Sequence, residues 1–198
     1  MKNILLAFMY IITATCLCAQ SAQYDIYVGK RHTGTLEVTI HTDGGGDSKI
    51  QLTAHSAVLL MNIYTFTSAE YRNGQLRSSI SEQKLNGKLR ERMRIHLQEG
   101  HYHMQAGQEM RSHQGAITWS VAMLYQREPK GIKQVFSERF GVYCNLKEVA
   151  PHHYELLMPD GKTTHYSYRN GVCAEVQSAH TMGSIRMVRI DTPAMARK

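Results

Sequence analysis

Proline and cysteine are scarce in this 198-residue chain, and neither is spread evenly. None of the four prolines precedes Pro129, so nothing before it forbids long, centrally paired strands. Of the four cysteines, Cys16 and Cys18 sit in an apolar stretch at the start, which leaves only Cys144 and Cys173 beyond it. Those two are open to two readings: a disulfide, which an exported chain can form, or two separate buried thiols. No Cys-x-x-Cys or His-Glu-x-x-His spacing occurs, although His101, His103, His152 and His153 fall in pairs; no metal or other cofactor is expected. No phosphate-cradling glycine pattern, internal repeat or low-complexity tract is present. Long apolar runs are missing too. A membrane-spanning helix needs about 20 such residues, and no segment reaches that length, so no membrane span is expected. With 42% apolar and 20% charged residues, disordered and collagenous classes are excluded. The net charge of +7 points toward acidic partners without identifying one.

The start of the chain has the form of a secretory leader. Lys2 precedes the apolar run Ile4 to Ile12, and small residues follow up to Ala19-Gln20. Cleavage is expected near Ala19, making residues 1–19 a signal peptide and the protein periplasmic or secreted. Thr13 and Thr15 stand where a lipidation motif before Cys16 or Cys18 wants an aliphatic residue, which argues against a lipid anchor.

Turn signals are abundant instead. Asn73-Gly74, Asn86-Gly87, Asp160-Gly161 and Asn170-Gly171 each separate strand-like runs and suit type I′ hairpin turns. Thr35 to His41 alternates apolar and polar residues, and Leu89, Met93, Ile95 and Leu97 share one parity. Ala57 to Met61 is apolar on both faces and reads as a sandwiched or ligand-contacting strand. Ile117 to Tyr125 is the one helix candidate. The expected architecture is all-β and mainly antiparallel: a long-stranded meander curled into an open or half barrel, with one short helix or crossover near 117–135. A single β-rich domain over 20–191 and a flexible tail at 192–198 complete the expected organisation.

Two-residue turns fix register, so cross-strand neighbours can be written down. Around Asn86-Gly87, Glu82 is expected opposite Glu91 and Ile80 opposite Met93. The other face then carries a basic stripe of Lys88, Arg90, Arg92, Arg94 and His96, beside Gln83, Ser81, Ser79 and Arg77, with Glu70 facing Arg77. That stripe is either a surface for an anionic partner or the solvated outer face of a sheet. Only Tyr64 and Phe66 accompany it as stacking aromatics, and a nucleic-acid partner is not expected. Glu82 beside Glu91 offers a paired-carboxylate chemistry, but nothing else converges on it. The later turns place Glu155, Tyr166 and Glu175 in one row, and His153, Tyr168 and Cys173 in another; a Cys–His nucleophile is disfavoured because no orienting carboxylate stands near.

The densest stretch of special residues runs from Tyr125 to Gly141. Here Glu128, Glu138 and Arg139, with Tyr125, form the candidate ligand or structural cluster at a crossover stopped by Pro129. Tyr24-Asp25-Ile26-Tyr27-Val28-Gly29, Leu124-Tyr125 with Glu128-Pro129, Phe136-Ser137-Glu138-Arg139-Phe140-Gly141 and Tyr168-Arg169-Asn170-Gly171 together resemble a family of uncharacterised exported bacterial proteins, domain of unknown function 6134. Tyr71-Arg72-Asn73-Gly74 and Pro159-Asp160-Gly161 extend the likeness over nearly the whole mature chain. The resemblance implies no activity and carries over no catalytic residue. The functional expectation is an exported, non-enzymatic envelope protein holding a lipid-like or amphiphilic ligand on a curved sheet. The alternatives are a structural or assembly factor that pairs a sheet edge with an envelope protein, and a carboxylate-dependent hydrolase using Glu82/Glu91 or Glu128/Glu138.

Overall fold

In the computed structural model, which describes residues 18–43, 45–180 and 183–190, alternating sequence and tight turns build one antiparallel sheet from two meanders. Its first half comprises β1 (Cys18–Val28), β2 (Arg31–Thr42), β3 (Ser48–Val58), β4 (Met61–Arg72), β5 (Gln75–Leu85), β6 (Lys88–Gln98), β7 (His101–Ala106) and β8 (Glu109–Gln114). Its second half comprises β9 (Gln134–Ser137), β10 (Val142–Ala150), β11 (His153–Leu157), β12 (Thr163–Arg169), β13 (Val172–His180) and β14 (Gly183–Ile190). All fourteen form one sheet in the order β8-β7-β6-β5-β4-β3-β2-β1-β14-β13-β12-β11-β10-β9. The two meanders therefore join through β1 and β14. The sheet curls but does not close, since β8 and β9 are its two edges. The expected leader, up to residue 17, and the expected tail lie outside the described residues.

Three of the four Asn/Asp-Gly turns behave as their sequence dictates. Asn73, Asn86 and Asn170 have φ of 51°, 50° and 53°, and the following glycines are also positive, which is the type I′ signature. Asp160-Gly161 differs. It belongs to a longer loop in which Met158 N–H donates to Lys162 O at 2.8 Å, and only its glycine has positive φ.

Register departs from expectation wherever a β-bulge inserts a residue. Leu85 pairs with Lys88 as expected, but Lys84 pairs with Leu89 and Gln83 with Glu91, leaving Arg90 as the extra residue. A one-residue slip exchanges the faces of everything beyond it. Glu82 consequently faces Arg92, Ser81 faces Met93 and Ile80 faces Arg94. A second bulge at Arg77 sets Glu70 opposite Ser78. In the second meander Glu155 faces His165 and Glu175 faces Ser167, while Tyr168 does face Cys173. Ala57 to Met61 is not a sandwiched strand: Val58 pairs with Met61 across a two-residue turn, Leu59-Leu60. The helix candidate shrinks to one 3-10 turn, Ala122–Tyr125, at the end of an irregular crossover.

That crossover sits against the concave face at one end. Ala122, Leu124 and Ile117 have no exposed surface, and they pack with Tyr24, Leu76, Tyr102 and Tyr168. A buried loop must find partners for its backbone. Tyrosines supply many of them. Tyr168 donates to Leu124 O at 2.7 Å, and Tyr102 both donates to Leu76 O at 2.7 Å and accepts from Ile117 N–H at 3.3 Å. Leu76 N–H donates to Ile117 O at 2.8 Å. The crossover also runs parallel beside β9, with Phe136 N–H donating to Trp119 O and Val121 N–H to Phe136 O, each at 2.9 Å. We refer to this as the plugged end; the opposite end carries the β1–β2, β3–β4, β5–β6, β7–β8, β9–β10 and β11–β12 turns.

Candidate functional site

Part-way from the plugged end toward the turn-bearing end, the inward-facing side chains become small, before Val58 and Ile63 close the rows near the rim. Along β3 the row runs Ile50, Leu52, Ala54, Ser56; along β4 from the same direction it runs Tyr71, Ala69, Thr67, Thr65; along β13 it runs Cys173, Val176, Ser178. Protein interiors are normally filled to crystal-like density, but small residues at these depths leave space. The result is a half-open chamber of about 400 Å³. Its apolar wall includes Ile26, Val58, Ile63, Val176, Ile185 and Met187, and Tyr125 forms the floor. Arg139, Lys162 and Asp160 supply its charged groups. A second cavity of about 250 Å³ adjoins it, sharing Thr65, Gln83, Tyr125, Arg139 and Met158 and reaching Glu138 and Glu91.

Tyr125 stands edge-on to Tyr24 and to Tyr166, at 5.6 and 6.2 Å between ring centres. Its hydroxyl has a weak partner, Met187 Sδ at 3.9 Å. Burial holds both the Tyr125 and Tyr166 phenols far above the ordinary tyrosine pKa, so the floor is neutral. Arg139 pairs with Glu91 Oε2 at 2.8 Å and lies over the Phe140 ring at 5.0 Å. Lys162 pairs with Asp160 at 3.1 Å.

The candidate cluster of Glu128, Glu138, Arg139 and Tyr125 is thus not one ion-pair network. Glu138 is 2% exposed and faces inward, where Oε1 accepts from Ser120 Oγ and from Ala122 N–H at 3.1 Å. Ser120 Oγ is also hydrogen-bonded to the Tyr71 hydroxyl. Burial pushes the Glu138 carboxyl above its usual pKa. Glu128 belongs to the plugged end. Its Oε1 meets His152 Nδ1 at 2.8 Å and the Tyr154 hydroxyl at 3.0 Å, and Lys130 Nζ lies 3.6 Å from Oε2. Burial opposes its charge, yet the hydrogen bonds of His152 and Tyr154 and the nearby positive charges outweigh that, and its pKa lies below the usual range.

The basic stripe is split by the bulge. Arg92, Arg94 and His96 remain on the outer face, Lys88 shares the inner-face parity of Leu85 at the rim, and Arg90 sits in the bulge itself. Arg92 is bound to Glu82 at 2.6 Å. The beds of that outer face are Ser78, Ile80 and Glu82, not Ser79, Ser81 and Gln83, which turn inward. Tyr64 and Phe66 do share the outer face, with Lys84 Nζ 5.3 Å from the Tyr64 ring centre. Neither proposed carboxylate pair forms: Glu82 and Glu91 each hold an arginine, and Glu128 and Glu138 sit in separate hydrogen-bond systems. Cys144 and Cys173 are free and buried, not bridged, and burial pushes their thiols up to about 11 and about 12. His153 is exposed, with Nδ1 against Pro151 O, while Cys173 is fully buried. Among the described residues, no group of three or more His, Cys, Asp or Glu is placed to hold a metal ion. No helix among them is long and apolar enough to cross a membrane.

Sequence reading finds Tyr125, Arg139 and Glu138 but misses the chamber wall. The available signal was the run of Ala, Ser and Thr on the inward parity of β3, β4 and β13, which is visible once register is known.

No curated protein matches the chain in sequence. In structure it is similar to the crystal structure of a beta-barrel-like protein of domain of unknown function DUF1849 from Brucella abortus, with a TM-score of 0.60. The match covers 90% of this chain and 98% of that one at 10% sequence identity, so it speaks for the fold alone. The model of the domain of unknown function DUF6134 matches residues 24–190, taking in the tapered strands, the crossover and the rim, and the chain belongs to that family.

Proposed function

We infer that the protein is a non-enzymatic binding protein of the cell envelope, exported after cleavage near Ala19, which holds an amphiphilic small molecule inside the curled sheet. One observation carries this reading: an apolar-walled chamber, walled by small residues and furnished with Arg139 and Lys162. Its volume lies in the range of about 300–1,000 Å³ common for small-molecule sites. The apolar part of the ligand lies along Ile26, Ile63, Val176 and Ile185, and an acidic or strongly polar head meets Arg139 and Lys162. Arg139 already spends its charge on Glu91, so a head group competes for it, or shares it.

The edge-pairing alternative has less support. The crossover occupies the outer side of β9 through Trp119 and Val121, and β8 is short and carries Glu109 and Arg111, the usual protection of an edge. The hydrolase alternative has lost its paired carboxylates.

The test is organic extraction of the purified protein with mass spectrometry, followed by titration with a fluorescent fatty acid. Extraction of a stoichiometric amphiphile, and saturable probe binding that Ala54→Trp weakens about tenfold or more by filling the chamber, is the expected result. A protein that yields no lipid and binds no probe is not of this kind.

A further inference from the structure

The turn-bearing end exposes apolar residues in a place where local sterics argue against them. Leu59 and Leu60 form the two-residue tip of the β3–β4 hairpin and are 79% and 93% exposed. Leu59 has φ of 55°, a left-handed conformation that Gly, Asn or Asp adopts at lower cost. Among the described residues, the other two-residue turns use Asn-Gly, Glu99-Gly100, Pro151-His152 or a leading glycine (Gly29-Lys30, Gly107-Gln108), and every other non-glycine residue with positive φ is polar. An apolar pair that is strained, unburied and unused by the core calls for a function outside the folded chain.

Its surroundings are basic. Strand order sets the tip between the β1–β2 turn, with exposed Lys30 and Arg31, and the β5–β6 turn, followed by exposed Lys88 and Arg90. Lys30, Arg31, Lys88 and Arg90 enter none of the ion pairs formed among the described residues, whereas the carboxylates at this end are matched: Glu91 by Arg139, Glu109 by Arg111 and Asp160 by Lys162. Leu89, also exposed, stands beside that same β5–β6 turn, and Met110 and Leu157, large and exposed, stand beside two more turns of the same end. The tip is also held in place. Asn62 N–H donates to Asn86 Oδ1 and Asn86 N–H to Asn62 O, each at 2.8 Å, tying the leucine hairpin to the turn that precedes Lys88.

We propose that this end docks on an anionic lipid bilayer, with Leu59 and Leu60 entering the interface and Lys30, Arg31, Lys88 and Arg90 meeting the headgroups. A protruding apolar pair flanked by unpaired cations is complementary to such a surface: the leucines lose water, and the cations gain the negative surface potential. A protein partner would have to match a narrow tip instead of a flat patch; a bilayer needs no matching shape. The docked end is also the end at which the chamber lies, so a ligand could pass between the two without crossing bulk water. That last link rests on the binding reading above, but docking does not.

The experiment is co-sedimentation of the mature protein with vesicles of phosphatidylglycerol and phosphatidylcholine, compared with phosphatidylcholine alone. Binding to the anionic vesicles that fades with added salt is expected. The variant Leu59→Asn/Leu60→Gly installs a favourable I′ turn, so it folds, and it is expected to bind vesicles about tenfold or more weaker through loss of two exposed leucines. Lys88→Glu/Arg90→Glu should abolish the preference for anionic vesicles. Equal sedimentation of the wild type and the Asn-Gly variant overturns the proposal. So does absence of wild-type binding, or self-association that the Asn-Gly variant removes, which would make the occupant a second copy of the chain. The Ala54→Trp protein separates the two readings: it should dock normally while failing to take up the fatty-acid probe.

Discussion

At the plugged end of the curled sheet, Leu76, Tyr102, Ile117 and Leu124 are fully buried, and the polar atoms of the crossover meet tyrosine hydroxyls or the Glu138 carboxylate. At the other end the same strands point Ala54, Ser56, Thr65 and Ser178 inward, leave a chamber and expose two leucines. One set of strands thus builds a conventional core and an unfilled one within a single sheet. The difference is made by side-chain size on the inward parity and by where the crossover lies, not by backbone architecture. Stability belongs to the first end and binding capacity to the second, a division that single substitutions can test.

The largest contrast comes from removing apolar bulk. Leu76→Ala should cost about 2–5 kcal/mol, because a filled site becomes a cavity. Ile63→Ala lines space that is already open, and should cost well under half as much; urea denaturation of both variants reads the difference. Equal costs would erase the distinction between the ends. Hydroxyl removal gives a smaller contrast of the same sign. Tyr71→Phe strips a buried partner from Ser120 and should cost about 1–3 kcal/mol. Tyr125→Phe gives up only the distant Met187 sulfur and should fall within about 0.5 kcal/mol of wild type in thermal melts.

The two buried glutamates sharpen the comparison through pH. Glu128, with its pKa lowered, contributes stability that is present above the ordinary glutamate range and is lost as pH falls through its folded-state value. Glu138, with its pKa raised by burial, works in the opposite sense: its contribution is full below the ordinary range and is lost as pH rises through the raised value. Glu128→Gln should therefore flatten the acid side of a stability–pH curve, and Glu138→Gln the side above the usual carboxylate range. Urea midpoints across pH would show an error if the two variants flattened the same limb. The smallest effect concerns the tip. Leu59→Asn/Leu60→Gly should leave the melting temperature unchanged or raise stability by about 0.5–1 kcal/mol, since it relieves a left-handed leucine.

Much of the fold is legible in the sequence because hairpin chemistry is local. Asn73-Gly74, Asn86-Gly87 and Asn170-Gly171 dictate their own backbone angles, and Leu36, Val38 and Ile40 declare one face by alternation. Arg77 and Arg90 are where that reasoning stops. A bulge of this kind needs no special residue, so neither arginine announces one, yet each moves the pairing beyond it by one position: the bulge at Arg90 dissolves the expected Glu82–Glu91 pair, and the bulge at Arg77 the expected Glu70–Arg77 pair. Leu59-Leu60 was unreadable for a related reason. Turns are recognised by turn-forming residues, and an apolar turn looks like a strand. The chamber depends on both the register and the crossover, so its wall could not be named before either was known, although Tyr125 and Arg139 stand out by their place in the Tyr125–Gly141 stretch.

The junction of β1 with β14 has a consequence for how the molecule assembles. Gln23 pairs with Ile190 and Val28 with Ile185, so the strand that opens the described fold is completed by the strand that ends it. Until β14 arrives, β1 is a bare 11-residue edge of an eight-stranded sheet, longer than the 6-residue edge at β8. Contacts of such sequence separation are slow to form because a long loop must be closed before they are rewarded. Folding of this chain is accordingly a late, whole-chain event, and the half-built sheet is the species most exposed to edge-to-edge association.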